Sequence, residues 1–552
     1  MRALKYFLRR VLHKGLICLD STSRTPAPSA VESTYSAASD CFSSYYLDDN
    51  SNFEISGTPI NIKFPRWMQI AHCIDKRTAL ILVAGEKINL PNTITISKDT
   101  RLYIRYSAAV PSISKDGLVC EIIFAESDKS DAENLIATLP LAGGRQLADW
   151  RSVDFDISFL AGHRGHLVVR CHPGKDGDPT GDWLAISDLC IAREDKLSLI
   201  KARSFHESRS RNEIEHFSAV YRHNMYSTAQ NQRAKTAAGK SRPVRKLACS
   251  KDEIVKADTK PIDHVEPFPD ESPYGYASRL LAKCIPQSPP NFSERLKIRS
   301  EIGGVIKVLS LCSGAARVEA SYAAQVGANV EWSLLDINVD LLGLASKQFS
   351  PSVKVDLIEA NVNNLVYSGE KWDIILCVSA LHHIVELEKL LKFCHDSLNA
   401  DGEFWSIGEY VGRNGNRLWP DARAEANKIF RQLPEQYRVN RHTNQVDFEI
   451  PDNDYSVGCF EGIRSEDIEP VIDRWFHPID VYRRNCFLWR LINLTYSDNY
   501  NLDNPEDRKW IARMVNFEVD HLRMGGRGTE LFGVYRPRVL SRDLLKNSKV
   551  PR

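Results

Sequence analysis

The chain has 552 residues, 43% of them hydrophobic and 26% charged, with a formal net charge of +1. That length predicts two or three domains, and a nearly neutral balance offers no long-range field to draw in nucleic acid. The 13 cysteines are scattered without a C-x-x-C pair, which argues against a structural zinc site and for free thiols in a reducing, cytoplasmic setting. No metal site is expected, and no apolar run reaches the ~18 residues that span a bilayer.

Residues 1–19 carry five Lys/Arg and no acid, with Leu4, Phe7, Leu8, Val11 and Leu12 at helical spacing. The pattern reads as a basic amphipathic helix, either peripheral to an anionic membrane surface or docked on a neighbouring domain. Residues 20–48, rich in Ser, Thr, Ala and Pro, read as a flexible linker. From 49 to 197 short β-branched runs such as "TALILVAG", "RLYIRYSAAV", "LVCEIIFAES" and "GHLVVRCHP" alternate with turn residues. Strands of this kind without helical patterns between them predict an antiparallel β-sandwich of the jelly-roll kind. Its Trp67, Trp150 and Trp183 would be core aromatics or would stack on sugar rings, as in a carbohydrate-binding module. The spaced aspartates of "PGKDGDPTGDW" read as a polar loop or a calcium loop.

Residues 198–265 predict a linker with one polar helix, in "RSFHESRSRNEIEHFSAVYRHNM", followed by a basic stretch. From 266 to 540 strand-like and helical runs alternate, which predicts a mostly parallel α/β sheet of Rossmann-like form. Residues 541–552 are a tail. In an open α/β sheet ligands bind beyond the carboxyl ends of the strands. The residues at those ends are Cys312, Gly314 and Ala316 after the first strand, and Asp336 and Ile337 after the second. Asn361 and Val362 follow the third, Ser379, His382 and His383 the fourth, and Glu409 and Tyr410 the fifth. Small residues and one glycine let a backbone approach a ligand, and an acid ~20 residues beyond the turn suits ribose hydroxyls.

Five segments in order, "VLSLCSGAARVE", "LLDIN", "EANVNNL", "KWDIILCVSALHHI" and "LNADGEFWSIGEYVG", resemble the class I S-adenosylmethionine-dependent methyltransferases. The likeness covers the C-terminal half alone and is strongest to a bacterial subgroup with an "EYVG" motif. It implies S-adenosylmethionine as cofactor, held by Ser310, Cys312, Gly314, Ala316, Glu319, Asp336, Ile337, Asn361, Val362 and Ser379. Ser310 stands where the family has an acid, so Glu319 is the expected carboxylate for the cofactor's amino-acid end. For an oxygen acceptor the expected bases are His383, His382 and Glu409. Arg464, Trp419 and Tyr410 are the expected acceptor-binding residues, under an insertion over 411–476. The acceptor is expected to be a saccharide, glycan or glycolipid, or another small molecule, with no nucleic acid. An inactive fold serving as a scaffold is the competing reading.

Overall fold

A computed structural model describes residues 45–539, without 47–53, 57–65, 111–115, 128–132, 143–149, 220–264 and a few shorter gaps. The expected segments 1–19 and 541–552, most of the 20–48 linker and the basic stretch after residue 220 therefore lie outside the described residues.

The N-terminal strands form two six-stranded antiparallel sheets. The four runs quoted above, from Asp75–Val83 to Arg164–Pro173, are all strands, and Glu133–Leu141, Arg151–Asp156 and Trp183–Arg193 are strands as well. Leu80, Ile104 and Leu184 of one sheet share a single core with Ile122, Phe124 and Val169 of the other. The aspartate-rich loop is a set of turns: Asp178 accepts from the Thr180 amide at 3.0 Å, and Asp182 from that of Gly174 at 3.2 Å.

The C-terminal half is a seven-stranded sheet. Its strands are β1 (Ile306–Leu311), β2 (Val330–Asp336), β3 (Val355–Glu359), β4 (Trp372–Val378), β5 (Leu398–Tyr410), β6 (Phe476–Arg484) and β7 (Glu530–Pro537). The spatial order is β3-β2-β1-β4-β5-β7-β6. β1 to β5 run parallel, and β7 is antiparallel to both its neighbours. Successive residues point to opposite faces. Thus Leu309, Leu311, Ile375 and Cys377 enter one core, and Val308, Ile374 and Leu376 enter the other. Burial on both faces is why β1 and β4 are nearly continuous apolar runs. Strand order reverses between β1 and β4, which opens a crevice at their carboxyl ends. A third core joins Pro420–Phe430 and Pro505–Arg523 with Pro273–Cys284. It takes in Tyr496 and packs against Trp489 and Trp510.

Residues 42–542 make one compact unit, joined by buried charge. Asp188, on the last N-terminal strand, lies 3.5 Å from Arg77 and 3.8 Å from Arg105. Arg105 reaches 3.3 Å across to Asp454 in the C-terminal half. Arg209 is buried and donates from Nη1 to the carbonyls of Ala202 and Ser204 at 3.2 and 2.8 Å, closing the end of helix Leu197–Arg203. Ser198 donates to Asp467 at 2.8 Å, and Arg203 grips Glu386 with two bonds. The 198–219 part of the expected linker is therefore structure packed against the C-terminal half. Asp188→Ala leaves two buried guanidinium groups short of a partner. It is expected to cost about 3–5 kcal/mol, read as a lowered unfolding midpoint in denaturant, with parent-like stability counting against this network.

Candidate functional site

β1 runs out into a turn whose backbone is left-handed at three places: Cys312 (φ +52°), Gly314 (φ +51°) and Ala316 (φ +50°). Ser379, just after β4, is left-handed too, at φ +48°. Two side-chain-bearing residues in the turn, Cys312 and Ala316, thus adopt angles that only glycine takes freely, at roughly 1–2 kcal/mol each. Such outliers persist where the surroundings over-determine them, and they cluster at ligand sites.

The turn walls a cavity of about 310 Å³ at the carboxyl ends of β1, β2 and β4. Eight of the expected residues line it: Cys312, Gly314, Asp336, Ile337, Asn361, Val362, Ser379 and His383. Asp336 accepts the Gly314 amide on Oδ2 and the Asn338 amide on Oδ1, both at 2.8 Å. Burial pushes its carboxyl up, against the pull of those amides. Asn361 uses Oδ1 to take the Asn363 amide at 2.9 Å. Ala316 and Glu319 line an adjoining depression at the start of helix Arg317–Val326, which Gly314 shares. Ser310 lines neither space. Its hydroxyl donates to Glu319 at 2.6 Å, and both are buried. A carboxyl from the helix is thus bound to the serine that stands in the usual acid's place.

The other expected residues, Glu409, His382, Arg464, Tyr410 and Trp419, lie outside the cavity lining. Glu409 is wholly buried and lies outside the cavity lining. It accepts the amides of Ala380 at 3.0 Å, Leu381 at 2.7 Å, His382 at 3.0 Å and Tyr410 at 3.0 Å. It also lies 2.5 Å from His382 Nδ1. A carboxylate so fully bonded is an anchor for the turn after β4, not a free base. Burial alone would push His382 down, but the Glu409 charge prevails and holds the imidazole up at about 10. Buried beneath the turn, His382 does not line the cavity either.

Arg464 is buried and held by charged and backbone partners. It donates to Glu388 with two nitrogens at 2.7 and 2.8 Å, to Asp467 at 2.7 Å and to the Val385 carbonyl at 2.7 Å. Four of its five N–H donors are thereby engaged, which leaves no pair of donors for a two-point grip on an acidic substrate group. The Tyr410 hydroxyl donates to the Arg417 carbonyl at 2.7 Å, and Trp419 lies under Arg527 at 4.3 Å. Neither lines the cavity.

Two contributions escaped the sequence reading. Helical residues 209–219 cover the cavity with Glu213, Ile214 and Phe217. Glu213 lies 2.7 Å from His383 Nδ1 and accepts the Phe460 amide at 2.7 Å. Ser218 accepts from Asn338 Nδ2 at 2.9 Å. The available signal was Ile214 and Phe217, three apart on an otherwise polar helix. From the 411–476 insertion, Phe460 lines the cavity, while Glu461 comes 3.5 Å from His382 and 3.4 Å from His383.

Residues 308–402 match the family model described as a methyltransferase domain. The chain carries a methyltransferase domain. S-adenosylmethionine is the cofactor of such a domain, and the cavity fits it. Asp336 lines the cavity at the end of β2, and apolar Ile337 and Val362 line it as well. The Ser313 hydroxyl lines the same cavity and is buried without a partner. Bound there, S-adenosylmethionine supplies an activated methyl group, while the protein supplies position and a dry wall. A search of curated proteins gave no match. Among solved structures, the methyltransferase aligns with a TehB-like S-adenosylmethionine-dependent methyltransferase from Corynebacterium glutamicum at 13% identity, over 48% of this chain and 96% of that one, with a TM-score of 0.24. It aligns with the YcgJ protein of Bacillus subtilis at 15% identity, over 45% of this chain and 98% of that one, with a TM-score of 0.26. It also aligns with a plantazolicin methyltransferase solved with S-adenosylhomocysteine at 9% identity, over 48% and 85%, with a TM-score of 0.25.

Glu409→Ala strands five donors beneath the turn and is expected to cost about 3–5 kcal/mol of stability. A variant with the parent's melting midpoint but no turnover would restore Glu409 as a catalytic base.

Proposed function

We propose that the methyltransferase transfers the methyl group of S-adenosylmethionine to an oxygen of a saccharide, glycan or glycolipid. The observation that carries the cofactor half is one cavity uniting the Gly314 turn, the Asp336 carboxylate and His383. Asp336 holds the ribose hydroxyls, Ile337 and Val362 pack against the adenine, and Asn361 edges it. Glu319, with Ser310, faces the amino-acid end of the cofactor.

The acceptor half rests on His383, the one of the three expected bases that reaches the cavity. An oxygen acceptor is a poor nucleophile while it keeps its proton, and an imidazole at the wall activates it. The saccharide class is supported by the two N-terminal sheets, which we read as a jelly-roll sandwich over 49–197 that carries the acceptor toward a methyltransferase domain over 266–540. The "EYVG" residues place the chain, on this reading, in the bacterial subgroup that shares them. A cytoplasmic enzyme, with residues 1–19 touching a membrane surface, would meet glycolipids there. Among the described residues no helix is long and apolar enough to cross a membrane.

Asp336→Ala is expected to weaken S-adenosylmethionine binding by about 1–3 kcal/mol, measured by calorimetry; unchanged affinity would remove Asp336 from the site. His383→Ala is expected to lower turnover while leaving cofactor affinity nearly intact. Transfer of labelled methyl into glycan, lipid, RNA and small-molecule fractions tests the acceptor. Label in glycan or glycolipid supports the reading, and label confined to RNA or another small molecule overturns it. A folded chain that binds no cofactor is the scaffold.

A further inference from the structure

His382 and His383 are adjacent in sequence, with ring centroids 4.2 Å apart. Both turn Nε2 toward one carboxylate, Glu461, which is 78–79 residues away in the chain. His382 Nε2 stands 3.5 Å from Glu461 Oε1, and His383 Nε2 stands 3.4 Å from Oε2. These separations exceed the ~2.7–2.9 Å of a charge-assisted hydrogen bond. They suit two ligands of one ion, because donors ~2.1 Å from a metal stand roughly 3.0–3.4 Å apart. One donor atom from each of the three residues falls within 4.8 Å of the others.

The other side of each imidazole is also arranged. His382 Nδ1 is hydrogen-bonded to Glu409 at 2.5 Å, and His383 Nδ1 lies 2.7 Å from Glu213 without the alignment of a hydrogen bond. Metal-ligating histidines have such partners, usually a carboxylate on the second nitrogen, which fix the tautomer and the ring direction. Asn416 donates from Nδ2 to Glu461 Oε1 and orients that carboxylate in turn.

We propose that His382, His383 and Glu461 hold a divalent first-row transition-metal ion at the wall of the cofactor cavity. Two imidazoles and one carboxylate suit Zn²⁺, Fe²⁺, Co²⁺ or Mn²⁺, and are poorly matched to the all-oxygen shells of Mg²⁺ and Ca²⁺. Three protein ligands leave positions open for a substrate. His383 lines the cavity, so those positions lie beside the proposed methyl donor. An acceptor oxygen taken there would be oriented and its hydroxyl made more acidic. This role rests on the proposed oxygen acceptor; the ion site itself does not. It recasts His383 as a ligand that acts on the acceptor through the ion.

The test uses the full chain after chelator treatment, titrated with Co²⁺ and with Zn²⁺, alongside His383→Gln, Glu461→Gln and Glu213→Gln. The parent is expected to show a saturable Co²⁺ absorption that Zn²⁺ displaces. Loss of that signal is expected in the first two variants, and ~10–100-fold weaker binding in the third. Circular dichroism and calorimetry with S-adenosylmethionine on every preparation show that the fold and cofactor site survive. A parent that binds cofactor but no metal, or variants that bind metal as tightly as the parent, overturn the ion site alone. Metal binding without methyl transfer to any oxygen acceptor overturns the proposed reaction and leaves the ion site standing.

Discussion

The Glu409 carboxylate is the constraint on which the site depends. It is charged, wholly buried at the end of β5, and meets four backbone amides and one imidazole. Burying a charge is unfavourable unless every lone pair is used. Here the residues that satisfy the carboxylate are those that shape the turn after β4. Because Ala380, Leu381 and His382 must direct their amides at Glu409, the chain leaves β4 through the left-handed Ser379. His383 is thereby presented to the cavity while His382 is held beneath it. The His382 carbonyl accepts the Ile463 amide at 3.0 Å, which draws the 460–464 segment, and Glu461 with it, to the same place.

The second constraint comes from the N-terminal half. Helical residues 209–219 are tied to the end of helix Leu197–Arg203, which follows the last N-terminal strand, through buried Arg209 and to the cavity through Glu213, Ile214 and Phe217. The Asp188–Arg77–Arg105–Asp454 chain joins the same two halves through charge that has little access to water. The N-terminal half thus fixes the roof of the cavity. The cavity, the helix that covers it and the sheets behind it form one continuous packed body.

The departures from the usual glycine-rich first motif are compensated in place. Cys312 and Ala316 occupy left-handed positions where glycine would be unstrained. The turn is held by the Asp336–Gly314 bond and by the Ala316 amide, which donates to the Ser313 carbonyl at 2.8 Å. Ser310 lacks the usual acid, and Glu319 delivers a carboxyl to it from one helical turn into the next element.

Sequence periodicity and order by themselves determined the parallel sheet, the placement of the cavity at its carboxyl edge, and the eight wall residues that follow its strands. Those are local facts: each residue is set by where its strand ends, and apolar runs such as "VLSL" and "IILCV" mark strands buried on both faces. The roles of Glu409, His382 and Arg464 were decided only by the tertiary structure. A polar residue at a strand end reads alike whether it faces ligand or carries the turn, and what separates the two is how many partners converge on it. Glu213 and Glu461 were invisible for the same reason. They reach His383 from residues 170 and 78 positions away, and no local pattern encodes contacts made by the packing of distant elements.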